Sequence, residues 1–187
     1  MGTRARERLL STAEELFYAE GIRAVGIDRI LEESGVGKAS LYRHFPSKDA
    51  LVEAVLRERD RTWRQWLSST VDGYRLDPED RILAVFDALF ERFSRKDFRG
   101  CAFINTMVET ADPASPVHAV AAEHKSALTE YLAGLLTDAG HTDADGLAAQ
   151  LVLIVDGAIV TAVRENAPDA ALRGKSIAAA LLRVRMT

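Results

Sequence analysis

Apolar residues recur three and four positions apart over most of this chain, and stretches alternating apolar with polar residues are essentially absent. That period confines the backbone to helices, because a helix returns to the same face about every 3.6 residues whereas strand side chains alternate. Leu9, Leu10, Ala13, Leu16 and Phe17 form the first stripe, and Gly21 is placed to end it. Ile27, Ile30 and Leu31 begin a short second helix that stops at Ser34 and Gly35. A third short helix runs from about Lys38 to Phe45, and Pro46 forbids its continuation. Ser47 caps a long fourth helix reaching Asp72 and Gly73. Asp77-Pro78-Glu79 then opens a fifth that carries Phe86, Phe90 and Phe93. After the basic break from Arg95 to Gly100, a short helix follows from Cys101 to about Thr110. Beyond Pro113 and Pro116 the pattern predicts one helix to Ala139, one from about Asp143 to Glu165 and one from Ala170 to Arg183. The expectation is an all-α protein of roughly nine helices.

Composition narrows what such a fold can do. With 187 residues, 48% of them hydrophobic, the chain can bury a good core as one unit or two small ones. The net charge of −4 argues against indiscriminate coating of nucleic acid, but leaves room for a small basic surface. The single cysteine, Cys101, excludes an internal disulfide and suits a reducing compartment. MGTRARERLL lacks the apolar core of a signal peptide. The longest apolar run, from Leu151, is interrupted by Asp156 and reads as too short to span a bilayer. A soluble, cytoplasmic protein with no membrane partner is expected.

Residues 36 to 45, VGKASLYRHF, hold no acid in a chain where acids outnumber bases. Helix, a turn at Gly35, then a short helix is the spacing of a helix-turn-helix, whose second helix enters the DNA major groove. Val36, Leu41 and Phe45 can point inward with Ile30 and Leu31, leaving Lys38, Ala39, Ser40, Tyr42, Arg43 and His44 outside. Lys38 and Arg43 suit guanine acceptors or phosphates, and Ser40 and Tyr42 add hydroxyl donors. Lys48 sits in the first turn of the next helix, where backbone amides favour an anion. A carboxylate on that face would repel the duplex, which accounts for the clearing. Arg4, Arg6 and Arg8 are either further groove contacts or a solvated tail. His44 has no Cys, His or carboxylate at metal-ligand spacing, so no metal or cofactor is expected.

The run RERLLSTAEELFYAEGIRAVGIDRILEESGVGKASLYRHFPSKDALVEAVL, Arg6 to Leu56, closely resembles the amino-terminal domain of TetR-family transcriptional regulators. AEELFYAEG closes the first helix, IDRILEESGV supplies the scaffold helix and turn, GKASLYRHFPSK the recognition helix, and DALVEAVL opens the fourth. The resemblance implies a DNA-binding domain at 4–62 and an effector-binding and dimerisation domain at 63–187. It implies base reading by Lys38, Ala39, Ser40 and Arg43, and phosphate contacts by Tyr42, His44 and Lys48. Gly26 and Gly37 depart from the family, which usually has hydroxyl caps there.

For the remainder, the resemblance implies a homodimer through the last two helices on a palindromic operator, released by a small-molecule effector. LAAQLVLIVDGAIVTAV and SIAAALLRVR are too apolar for surface helices with a single buried stripe, and Gly157, Ala158, Ala178 and Ala179 permit close approach. Candidate effector contacts are Trp63, Trp66, Phe90, Phe103, Asn105, Met107, Glu109, Tyr131 and Asp156, although aromatic residues at helical spacing equally form plain core. Asp156, isolated among apolar neighbours, needs a partner such as a ligand or Arg164. Two alternatives stand beside the ligand-responsive repressor. One is a thiol sensor at Cys101, where nearby cations and a helix start favour thiolate. The other is a DNA binder without ligand sensing. No nucleophile and base among Cys101, His118 and His124 have recognisable catalytic spacing, so an enzyme is not expected.

Overall fold

The computed structural model describes residues 2–110 and 112–184, and these form nine helices with no strand among them. They are α1 (Gly2–Glu20), α2 (Ile27–Ser34), α3 (Lys38–His44), α4 (Lys48–Gly73), α5 (Pro78–Phe93), α6 (Ala102–Glu109), α7 (Pro116–Asp138), α8 (Ala144–Glu165) and α9 (Ala170–Val184). The all-α expectation holds, and the boundaries fall at the expected punctuation. Gly21 ends α1 with φ 91° and donates its N–H to the Phe17 carbonyl at 3.0 Å. The Ser47 hydroxyl accepts the Ala50 amide at 3.0 Å and so caps α4. Arg4, Arg6 and Arg8 lie within α1, which corrects the alternative of an unordered tail.

The helices gather into two compact units. The first comprises the chain up to Thr62 together with Ala102–Glu123. It holds α1 to α3, the first part of α4, all of α6 and the start of α7. Here α1 packs on both α2 and α3. Leu9, Ala13, Ile30 and Leu41 of these helices, and Leu51 of α4, are fully buried. Helices of eight and seven residues, as α2 and α3 are, do not persist alone in water, so this burial is what holds them. Burying a Leu or Ile side chain contributes about 1.5–3 kcal/mol.

The turn between α2 and α3 is set by a glycine and an arginine. Gly35 adopts φ 61° and sends its amide back to the Leu31 carbonyl at 2.9 Å. The Arg8 guanidinium reaches from α1 to donate to the Ser34 carbonyl, one of the acceptors left over at the end of α2. A Cβ on residue 35 would stand 2.7 Å from Arg8 Nη2.

The second unit comprises Trp63–Cys101 and the chain from His124 onward. In it α9 packs against both α5 and α8. Phe86, Leu89, Leu132, Leu136, Leu147 and Leu151 form the centre of its core. Close approach depends on Gly174 of α9, where an added Cβ would lie 3.0 Å from the Phe86 ring.

Gly35→Ala combines a left-handed backbone with displacement of Arg8, and is expected to cost about 1–2 kcal/mol. Urea unfolding followed by circular dichroism should show a lower midpoint with an unchanged slope.

Candidate functional site

Helix α3 carries the candidate surface, and its rotation about its own axis follows from two side chains. Leu41 is completely buried and Phe45, which follows the last helical residue, is 3% exposed. With those turned inward, Lys38, Ala39, Tyr42 and Arg43 are exposed and Ser40 is half-exposed. Tyr42 is 44% exposed, unusual for an aromatic residue with no role in the core. The face therefore combines two cations, two hydroxyls and a methyl group. Lys38 Nζ lies 3.9 Å from an Asp28 carboxylate on α2, with both side chains largely in water. An open pair of this kind contributes little and leaves the lysine able to exchange partners.

Two of the expected phosphate contacts are less open than that face. His44 is half-buried, its ring against Phe45 at 6.3 Å, and its Nε2 is enclosed without a hydrogen-bond partner among the described residues. Its position at the end of α3, beside the inward-pointing Phe45, turns it off the open face. Lys48 is also half-buried. Its Nζ donates to the Ile22 carbonyl at 2.5 Å and stands 5.9 Å from the Phe17 ring centroid. One of its three N–H donors is thus committed to the protein, which was not legible in the sequence. Of the amino-terminal arginines, Arg8 is tied to Ser34, and Arg6 lies 5.6 Å from the Phe45 ring centroid.

The arrangement, a scaffold helix packed on α1 followed by a short helix with a cationic and hydroxylic outer face, is that of a DNA-reading element. Comparison with known proteins agrees. The family model described as "Bacterial regulatory proteins, tetR family" matches residues 9–55, and "Tetracyclin repressor-like, C-terminal domain" matches residues 78–177. The crystal structure of a TetR-family transcriptional regulator from Streptomyces coelicolor superposes with TM-score 0.87 at 36% identity, covering 99% of this chain and 97% of the other. The transcriptional regulator YjdC of Escherichia coli is 27% identical over 154 residues, 82% of this chain and 81% of its own. The transcriptional repressor NemR of Escherichia coli is 30% identical over 108 residues, 57% of this chain and 54% of its own.

The chain belongs to the TetR family. TetR-family proteins are transcriptional regulators rather than enzymes, and this one carries the family's helix-turn-helix DNA-binding domain.

The nine residues singled out as effector contacts do not share one compact unit. Phe103, Asn105, Met107 and Glu109 lie on α6 in the first unit. There Phe103 is buried, Met107 half-buried and Asn105 exposed. Glu109 is committed: its Oε2 accepts the Arg23 amide at 2.9 Å. In the second unit, Trp63 and Trp66 meet at 6.1 Å, and the rings of buried His124 and Trp63 stand edge to face at 5.0 Å. Phe90 is packed against the core of that unit. Asp156 finds its partner in Lys125 on α7 rather than in Arg164, which pairs with Glu165. Asp156 therefore has the partner its apolar surroundings were expected to demand, and only the identity of that partner differs from the Arg164 suggested by the sequence. Nothing in the order of residues singles out Lys125 over Arg164.

Helix α8 also corrects the estimate of the apolar run. At 22 residues, with an 18-residue stretch of mean hydropathy 2.0, it is long and apolar enough to cross a membrane by length and composition. Its inward stripe, Leu147, Leu151, Val155, Ala158 and Ala162, is instead buried in the protein core. Cys101 is half-buried against the same core, as a small apolar residue would be.

Tyr131 on α7 has a buried hydroxyl with no partner among the described residues. Burial pushes its pKa up to about 12, with the Asp72 carboxylate adding to the shift and Arg81 opposing it. The folded state therefore holds the phenolic proton after the unfolded chain has lost it. Stability from this group is complete below its ordinary value near 10.0 and declines as pH rises toward about 12. Tyr131→Phe removes the orphaned hydroxyl, so it should leave neutral-pH stability unchanged or raise it by up to about 1 kcal/mol. It should also reduce the alkaline loss, measured by urea unfolding across that window. Tyr74, raised to about 12 by burial and by its hydrogen bond to Glu91, acts in the same direction.

Proposed function

We propose that this protein is a homodimeric transcriptional repressor that binds a palindromic operator and releases it on binding a small-molecule effector. The observation that carries the DNA reading is the outward face of α3, where Lys38, Ala39, Ser40 and Arg43 are presented for base edges while Leu41 is fully buried. Tyr42 and Lys48 flank that face as phosphate contacts, and His44 contributes from its half-buried position at the helix end. Residues 4–62 then serve as the reading domain, and residues 63–187 bind the effector and dimerise.

Dimerisation is supported by an apolar face that this chain leaves open. On α8, Leu153 is 73% exposed, and Val160 and Val163 are each 50% exposed. On α9, Ile177 is 58% and Leu172 43% exposed. Gly157 lies on the same side of α8 with no heavy atom near its would-be Cβ, so a second helix can approach closely there. A twofold dimer would bring two copies of α3 to successive major grooves, about 34–36 Å apart. Repression is the polarity of NemR, a transcriptional repressor related to this chain. Effector sensing is supported by the aromatic group of Trp63, Trp66 and His124, which offers flat apolar walls beside one imidazole. The effector must favour the DNA-incompetent state by the same coupling free energy that DNA exerts against effector binding.

The test begins with a duplex selected by the wild-type protein from a randomised pool. Lys38→Ala and Arg43→Ala should each weaken binding to it by about tenfold to a hundredfold and relax base preference. Lys48→Ala should weaken all sequences alike and flatten the salt dependence. Wild-type affinity and footprint in the Lys38 and Arg43 variants would show that another face reads DNA. Separately, Leu153→Asp with Ile177→Asp should convert a dimer to monomers in sedimentation and abolish operator binding. A monomeric wild-type protein would overturn the dimer.

A further inference from the structure

The loop between α1 and α2 is gripped at a single peptide group. The carbonyl oxygen of Ile22 accepts Lys48 Nζ from α4 at 2.5 Å. The amide nitrogen of Arg23, across the same peptide bond, donates to Glu109 Oε2 from α6 at 2.9 Å. A cation on the oxygen and an anion on the N–H both favour the charge-separated form of the amide, so each contact strengthens the other. All these groups belong to the first compact unit.

Two further observations indicate that the α6 contact is specific. Glu109 is the last residue of α6, where a carboxylate meets the negative end of the helix dipole and is unfavourable for that helix. Its charge therefore has its favourable partner elsewhere, at the Arg23 amide. Gly21 faces it with φ 91°, and a Cβ there would stand 3.1 and 3.2 Å from the two carboxylate oxygens. The turn has no side chain at the one place where the carboxylate must enter.

We propose that Glu109 is a positioning residue for DNA binding: through the Ile22–Arg23 peptide it fixes the entry to the helix-turn-helix onto α6. The Glu109 side chain touches no DNA. Displacement of α6 breaks one side of the grip and frees the turn that precedes α2, which loosens the placement of α3. Helix α6 lies in sequence between two stretches assigned above to effector binding, so a shift there reaches the reading helix through one hydrogen bond. This rests on the DNA-binding reading above, and the experiment separates the two.

Amide hydrogen exchange by NMR reads the grip directly. In Glu109→Ala, exchange at Arg23 should accelerate about tenfold or more, as expected for loss of a charge-assisted hydrogen bond. The Leu51 amide, bonded to the carbonyl of the α4 cap Ser47 at 3.2 Å, should change far less. Affinity for the duplex selected by the wild-type protein should fall about fivefold to tenfold. Glu109→Gln keeps an acceptor oxygen and should restore both readouts to within about threefold of wild type. The proposal is overturned if Arg23 exchange is unchanged in the alanine variant, or if it accelerates while DNA affinity stays at the wild-type value. It is equally overturned if Leu51 accelerates to the same degree, because Glu109 then stabilises the whole unit. Failure of the wild-type protein to select any duplex would sink the DNA-binding reading, and Arg23 exchange would still report the grip.

Discussion

Leu41 and Phe45 lie one helical turn apart, and their burial decides the orientation of everything α3 presents to solvent. A helix of seven residues has no stability of its own to resist rotation. What resists it is the free energy of keeping two large apolar side chains out of water, about 1.5–3 kcal/mol each. Rolling α3 by one residue would expose Leu41 and bury Lys38 or Tyr42, so the core and the reading face are one constraint seen from two sides. His44 shows where that constraint has a boundary. Standing beside Phe45 at the helix end, it is drawn partly inward along with it.

Apolar burial alone leaves the turns undetermined, and three charged side chains complete the arrangement by holding backbone atoms. Arg8 holds the last carbonyl of α2, while Lys48 and Glu109 hold the two ends of one peptide group before it. Each contact satisfies a backbone group that helix termini and loops leave open, which costs far less than burying it unpaired. The pattern also explains the placement of glycine. Gly35 makes room for Arg8, and Gly21 makes room for Glu109. Residues that resemble candidate DNA or effector contacts by charge are in part the fasteners of the reading element.

The second unit applies the same physics to a different end. Helix α8 is apolar on nearly all sides, because one side fills the core of its own chain while another, with Leu153 and Val160, is left uncovered. Membrane insertion would make a similar demand on composition. Asp156, neutralised by Lys125, and the buried stripe from Leu147 to Ala162 show how this helix meets it within the protein.

Periodicity and punctuation were enough to read nine helices, their approximate ends and the open face of α3, because all depend on residues close together in the chain. Gly21, Gly35, Pro46 and Ser47 act on their immediate neighbours, and the four-residue step from Leu41 to Phe45 is itself a local pattern. Membership of the TetR family was legible for the same reason, since its motif is contiguous. The partners of Glu109, Asp156 and Arg8 were not legible. Those contacts join residues 86, 31 and 26 positions apart, and a carboxylate or guanidinium carries no local mark of which distant backbone or side chain it will meet. Tertiary packing decided them, because only the folded chain fixes which unsatisfied groups lie within reach.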